Sequence, residues 1–346
     1  LDVLSALSRT SGLVSILSNL EPRERGVTMT AIEESEVRQE VEVIRVRGLR
    51  KVFRDFWLRP RVEALREVDL TIYSGEVFGL LGPNGSGKST TIQILLGLLF
   101  PSKGEVSVLG KPPGTAEIKN RIGYLPEDSV FYPFLTGWEM LDLSASLAKV
   151  PHSQRKGRIG DLLEMVGLQG AGDREIGDYS KGMQRRIGIA QALIHDPDIL
   201  ILDEPTNGLD PLGVREMKDW IGELRQRGKT ILISSHLLAD VEQVCDRVSI
   251  LYGGKVQTSG SIEEILARDD RALWVTSNPG DEILAEARRQ IEKSGIEVVS
   301  MGPGTRSLED KFLETVEEAR ESGEKTTGAG IGGKLPAFLG QSEVLR

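Results

Sequence analysis

The chain has 346 residues, 39% of them hydrophobic, which is enough for one large folded domain and a smaller appendage. Its formal net charge of −9 gives no overall attraction to nucleic acid or anionic lipid, and a nucleic-acid partner is not expected. The single cysteine, Cys245, excludes an intramolecular disulfide and a multi-cysteine metal cluster, and reads as a small buried residue on a helix.

Residues 1–40 read as an N-terminal extension outside the fold. Val3, Leu4, Leu7, Val14, Leu17 and Leu20 make a weak amphipathic stripe, but serines interrupt it and no basic start or small-residue cleavage site marks a signal peptide. Three readings stay open: a disordered segment, a membrane-surface helix, and a chain whose start is Met29.

The main domain is expected over 41–270. Val41 to Val46 and Val68 to Tyr73 alternate like half-buried strands, and Val77 to Leu81 is a continuous apolar run ending in a glycine loop. The composition predicts a helix over Ser89 to Leu99. The longest apolar stretch, Ile92 to Phe100, is broken by Gln93 and is about half of a bilayer span.

From Ala116 to Gly177 the pattern is predominantly helical, punctuated by Pro133, Gly137 and Pro151, and a helical subdomain is expected over about 116–180. Ile199 to Leu202, Ile231 to Ser234 and Val248 to Leu251 are short apolar runs between helical patterns, as a buried and mostly parallel sheet requires. Ser261 to Leu266 opens a short helix with a capping box. A small accessory domain is expected over 271–320, with strands at Ala272 to Thr276 and Ile296 to Ser300 around a helix at Asp281 to Ser294. The tail 321–346 is rich in Gly, Lys and Thr, and reads as mobile.

Gly82, Pro83, Asn84, Gly85, Ser86, Gly87, Lys88, Ser89 and Thr90 satisfy GxxxxGKS after a strand and before a helix. Glycines let backbone N–H groups point at phosphate, and the helix N-terminus adds its positive dipole end. Lys88 would neutralise β- and γ-phosphate charge, and the Ser89 hydroxyl would ligate Mg²⁺. Asp203 and Glu204 follow four apolar residues, which places them at a strand end where ligands gather in open α/β sheets. One carboxylate on Mg²⁺ and another aimed at water suit phosphoryl transfer to water. His236, at the end of another apolar strand, can hydrogen-bond a phosphate oxygen; His152 and His195 carry no such context.

These motifs, with Tyr179 to Gln184, Leu202 to Asp210 and Ser234 to His236, occur in the order and spacing of the ATPase subunits of ABC transporters, and the resemblance covers about Val41 to Ala267. It implies an α/β P-loop ABC-type nucleotide-binding domain with an inserted helical subdomain and a small α+β C-terminal appendage. It also implies Glu204 as the general base, Asp203 as a Mg²⁺ ligand directly or through water, and His236 as the γ-phosphate sensor. Phe53 matches the aromatic that stacks on adenine, with Phe56 and Trp57 close enough to compete across a long loop from Arg54 to Arg61. Ser180, Lys181, Gly182, Met183 and Gln184 would close over the ATP held by Lys88 of a second subunit, with Asp210 at the same interface.

Two positions depart from the commonest pattern. Glu127 stands where most members carry glutamine, which preserves Mg²⁺ ligation and adds negative charge near the γ-phosphate, and the signature reads Tyr-Ser-Lys-Gly-Met-Gln. Both resemble the branch that exports drugs, polysaccharides or lipids through separate membrane permease chains; Arg306 to Leu313 is similar to the end of that branch's accessory segment. The implied protein is an ATPase at the cytoplasmic face of the plasma membrane, peripheral through its permease. There it pairs with an identical or homologous ATPase subunit, and the segment from Pro126 to Lys149, with Trp138, receives the permease. The alternatives are a soluble ABC ATPase of repair, translation or cofactor assembly, and a module that binds ATP without hydrolysing it.

Overall fold

In the computed structural model, which describes residues 41–57, 59–236 and 238–266 together with 315, 318, 319 and 322, two sheets and their helices surround the glycine loop. The chain runs β1 (Glu42–Arg54), β2 (Pro60–Tyr73), β3 (Val77–Leu81), α1 (Lys88–Leu95), β4 (Lys103–Val108), α2 (Ala116–Lys119) and β5 (Ile122–Leu125). It continues through α3 (Gly137–Leu147), α4 (His152–Met165), α5 (Lys181–Leu193), β6 (Ile199–Asp203), α6 (Pro211–Gln226) and β7 (Thr230–Ser235). The last described elements are α7 (Leu238–Val244), β8 (Arg247–Tyr252), β9 (Lys255–Ser261) and α8 (Ile262–Leu266).

Among the described residues β5-β6-β7-β3-β8-β9 form one sheet, parallel up to β8 and closed by antiparallel β9, while β2-β1-β4 form a smaller antiparallel sheet. The parallel strands are apolar on both faces because both faces are covered. Ile199 and Ile201 of β6 and Leu232 of β7 pack with Phe78, Leu80, Ile92 and the inner face of β1 and β2, including Ile44, Val46 and Leu70. The alternate residues, Leu200, Leu202, Ile231 and Ile233, pack with Leu141, Ile159, Ile187 and Met217 of the helical side. All five residues of β3 and of β6 are buried, so both strands deliver their C-terminal ends to one edge of the core.

Several expectations shift. The strands expected at Val41 to Val46 and Val68 to Tyr73 are parts of much longer β1 and β2, whose pairing shifts register repeatedly. The intervening loop is therefore tight: the Asp55 carboxylate accepts from the amides of Trp57 and Arg59, both at 2.9 Å. Helix α1 ends at Leu95, four residues before the expected Leu99, because the amides of Leu98 and Leu99 fold back onto the Gln93 carbonyl. The stretch read as helical from 116 contains β5, which pairs with β6 in the core sheet, and the larger helices begin only at α3. Cys245 lies just beyond α7 and is intermediate in exposure.

The expected capping box forms: the Ser261 amide donates to Glu264 and the Glu264 amide to Ser261 Oγ. The expected extension 1–40, the strands and helix of 271–320, the Arg306 to Leu313 segment and the tail lie outside the described residues, apart from the four positions named above. No helix among the described residues is long and apolar enough to cross a membrane.

Candidate functional site

The glycine loop sits between β3 and α1, and its backbone permits little else. Gly82 has φ 155°, and a Cβ there would stand 2.4 Å from the Leu251 carbonyl oxygen. Gly87, the N-cap of α1, has φ 113° and would press a Cβ to 2.6 Å from Leu65 Cδ2. Lys88 opens α1, so its side chain can turn back over the loop. It is buried, and its Nζ donates to the Gly82 carbonyl at 2.7 Å. Burial pushes the Lys88 ammonium below its usual range, and the Glu204, Asp203 and Glu127 carboxylates oppose that shift.

Asp203 ends β6 and Glu204 follows it, both buried. Glu204 adopts φ 50°, a left-handed conformation unusual for a residue with a side chain. Its amide donates to the Ser234 carbonyl at 3.0 Å and lies 3.2 Å from Ser234 Oγ, whose hydroxyl also donates to Asp203 Oδ1. The turned backbone sends the Glu204 carboxylate in two directions. One oxygen is 3.9 Å from Lys88 Nζ; the other lies 2.7 Å from His236 Nδ1 and accepts the His236 amide at 3.2 Å.

One cavity is lined by Phe53, Val62, Ala64, Pro83, Asn84, Gly85, Gly87, Lys88, Ser89, Thr90, Glu127, Asp203 and Glu204. Phe53, and not Phe56 or Trp57, is the aromatic on its wall; its ring is 39% exposed, with Lys51 Nζ 5.2 Å from the centroid. Gly82 and Ser86 belong to the loop behind the lining; Ser86 Oγ is buried without a partner in the structure. Burial, then Asp203, Glu204 and Asp128, push the Glu127 carboxyl above its usual range, against the pull of Lys88.

No cluster of three or more His, Cys, Asp or Glu among the described residues is arranged to cage a metal alone. One hydroxyl from Ser89 and two carboxylates from Glu127 and Asp203 on the cavity wall are instead the hard, incomplete oxygen set that Mg²⁺ takes when phosphate and water complete it.

Ser180, Lys181, Gly182, Met183 and Gln184 do not line this cavity. Ser180 is the N-cap of α5, accepting from the Met183 amide at 3.2 Å, and the position of a Gly182 Cβ would be 3.7 Å from the Gly208 carbonyl oxygen. The Tyr179 hydroxyl donates to the Ala171 carbonyl at 2.7 Å, anchoring the segment to the helical side. Asp210 caps α6, its Oδ1 accepting from the Gly213 amide at 3.0 Å. Trp138, read as permease contact or core, is partly buried and packs against the helical core.

The sequence reading passed over Arg185. It lies on α5 with 4% exposure and donates to the backbone carbonyls of both strand-end segments. Nothing in its local pattern separates it from Arg186, which pairs with Glu216.

The family model described as "ABC transporter" matches residues 65–207. An uncharacterized ABC transporter ATP-binding protein of Nostoc sp. is 48% identical over 65% of this chain and 68% of its own length. A fluoroquinolones export ATP-binding protein of Mycobacterium tuberculosis is 40% identical over 71% of this chain and 81% of its own, and a bacitracin transport ATP-binding protein of Bacillus licheniformis is 40% identical over 61% and 69%. A solved ATP-binding subunit of an ABC transporter superposes with TM-score 0.62 at 28% identity, covering 79% of this chain and 99% of that one. A dimeric ATP-binding cassette in a post-hydrolysis state with ADP and Pi superposes with TM-score 0.59 at 26% identity, over 63% and 98%.

Proposed function

This chain belongs to the ATP-binding subunits of ABC transporters and is an ATPase, and from that premise we propose that it dimerises around two ATP molecules to power transport, in the direction of export, through a separate membrane permease. The observation that carries this reading is the split site. Lys88, Asp203, Glu204 and Phe53 line one cavity with His236 bonded to Glu204, while Ser180 to Gln184 stand outside that cavity at an exposed helix start. A second subunit is the natural source of the missing wall, which makes the site complete only when ATP has brought two subunits together.

The residues divide the work. Phe53 offers its face to the adenine ring. The amides of Gly85, Gly87 and their neighbours hold the β- and γ-phosphates, and Lys88 neutralises them. Ser89, Glu127 and Asp203 would hold Mg²⁺, which would supply charge neutralisation to the phosphates. Glu204 orients the attacking water and accepts its proton, while His236 fixes the carboxylate from one side and meets the γ-phosphate from the other. Ser180, Lys181, Gly182, Met183 and Gln184 close over the partner's nucleotide, and Asp210 lies at the same interface.

Export is supported by the name of the fluoroquinolones export relative, and a peripheral position at the cytoplasmic face follows from docking on a permease. Val130, Tyr132, Phe134 and Leu147, 91%, 55%, 66% and 75% exposed, are the large apolar side chains that the segment assigned to the permease leaves for that contact.

Glu204→Gln separates binding from chemistry. With Mg–ATP the variant is expected to hydrolyse at least about 10²-fold more slowly than the wild type and to run as a dimer in light scattering. A dead variant that stays monomeric at saturating Mg–ATP would count against the sandwich, and one that turns over normally against Glu204 as base.

A further inference from the structure

The guanidinium of Arg185 has five N–H donors, and the structure gives each of them a carbonyl. Nε donates to Pro205 at 3.1 Å; Nη1 donates to Pro126 and, at 3.0 Å, to Glu127; Nη2 donates to Asp203 and Glu204. All five acceptors are backbone oxygens, and they come from two segments only. One follows β5 and carries Glu127; the other begins at the last residue of β6 and carries Asp203 and Glu204.

Burying a full charge is costly, and a core position on α5 could be filled by an apolar side chain of similar volume. Among the described residues no carboxylate pairs with Arg185 at hydrogen-bond distance; its charge is balanced by the carbonyl dipoles and, further away, by Asp203, Glu127, Glu204 and Asp128. The Glu204 carbonyl is among those held, and Glu204 is the residue in the left-handed conformation that aims its carboxylate at Lys88 and His236. With Ser234 gripping the Glu204 amide from β7, Arg185 grips the other end of the same residue.

Arg185 also directly follows Gln184, the last residue of the signature segment, on the same helix. A shift of α5 therefore reaches the backbone of Glu127 and of Glu204 through one rigid, planar group.

We propose that Arg185 is a positioning residue for hydrolysis, which fixes the orientation of the Glu204 carboxylate and the placement of Glu127 and ties both to the helix that begins at the signature segment. This rests on Glu204 acting as the base. The effect falls on the chemical step, because Phe53, Lys88 and the glycine loop make no bond to Arg185 in the structure.

The test is steady-state phosphate release by the full chain against Mg–ATP for Arg185→Lys and Arg185→Gln, with equilibrium binding of a fluorescent ATP analogue and thermal melting alongside. The expected result is a fall in kcat of about 10²-fold for the glutamine variant and a smaller fall for lysine, which keeps the charge but reaches fewer carbonyls. KM and analogue affinity are expected to stay within about threefold. If the glutamine variant does not fold, lysine alone carries the comparison.

A folded Arg185→Lys with kcat within about twofold of wild type would overturn the proposal, as would kcat and analogue affinity falling together by the same factor with a lowered melting temperature. Glu204→Gln in the same assay keeps the two ideas apart. If it turns over normally, the assignment of the base fails; if it is inactive while Arg185→Lys is unimpaired, only the positioning role fails.

Discussion

At the scale of single residues, the site is built by backbone placement as much as by side-chain identity. Ser234 binds Asp203 through its hydroxyl and Glu204 through its carbonyl, so two neighbouring carboxylates are aimed differently by one residue on the next strand. Glu127 adds a third carboxylate to a cavity already holding two, and burial, followed by that crowding, pushes its carboxyl above the usual range. In Glu127→Gln an oxygen ligand survives but one negative charge is lost, so the Mg²⁺ concentration at half-maximal hydrolysis is expected to rise about fivefold, the worth of roughly 1 kcal/mol between charges near 4 Å in water. An unchanged Mg²⁺ requirement would remove Glu127 from the ligand set.

Lys88, Ser89, Asp203, Glu204 and His236 were legible in the sequence because each lies inside a contiguous motif whose spacing encodes a strand end and a turn. Arg185 was not, because its partners are 58 or 59 residues away in one direction and 18 to 20 in the other. A buried arginine bonded to carbonyls and a partly buried one paired with a carboxylate read alike in the run Gln184-Arg185-Arg186.

At the scale of elements, helix termini perform two tasks here. Asp210 was expected at a subunit interface, and in the structure it caps α6. The two roles separate by substitution. Asp210→Ala removes the cap and is expected to cost about 1 kcal/mol in denaturant unfolding. Asp210→Asn keeps a capping oxygen and is expected to retain stability while weakening ATP-dependent dimerisation; an isolated effect on stability in both variants would leave the cap as the whole role.

The other end of α5 is fastened by His195, whose Nε2 lies 3.1 Å from the Ile122 carbonyl of β5, so the fitting neutral ring carries its proton on Nε2. Burial lowers the pKa of His195 from 6.5, against the carbonyl and Asp196. As the pH falls through the unfolded value the unfolded chain takes the proton first, so stability present above that pH is lost until the folded ring protonates as well. The melting temperature is therefore expected to drop between about pH 7 and pH 5.5, and to drop less in His195→Gln. Equal slopes for the two proteins would contradict this.

Strand β5 shows why a strand inside the predominantly helical stretch went unrecognised. Ile122 to Leu125 is four residues long, and a short apolar run carries no period that distinguishes strand from helix. Only its pairing with β6, which is 77 residues away, decides the matter. The lengths of β1 and β2 were equally hidden, because repeated register shifts break the alternation that marks a strand.

At the scale of the molecule, the described residues make one nucleotide-binding core with two surfaces to be covered. The signature end of α5 does not line the cavity that it is proposed to complete in a second subunit, and Val130, Tyr132 and Phe134 stand exposed ahead of α3. Under the proposed function the first meets another ATPase subunit and the second the permease. Phe134→Ser combined with Val130→Ser should leave the ATPase rate of the isolated subunit unchanged, since neither side chain lines the cavity, and should release the permease. A loss of ATPase in the isolated double variant would show that these side chains support the fold instead.

The most direct measurement is affinity purification of the tagged full chain from detergent-solubilised membranes, with identification and quantification of what accompanies it. The account predicts a polytopic membrane protein in near-equal amount, retained by the wild type and lost from the Val130 and Phe134 double variant. An active ATPase recovered without any membrane partner would contradict the account and move the protein to a soluble role, with a client other than a permease.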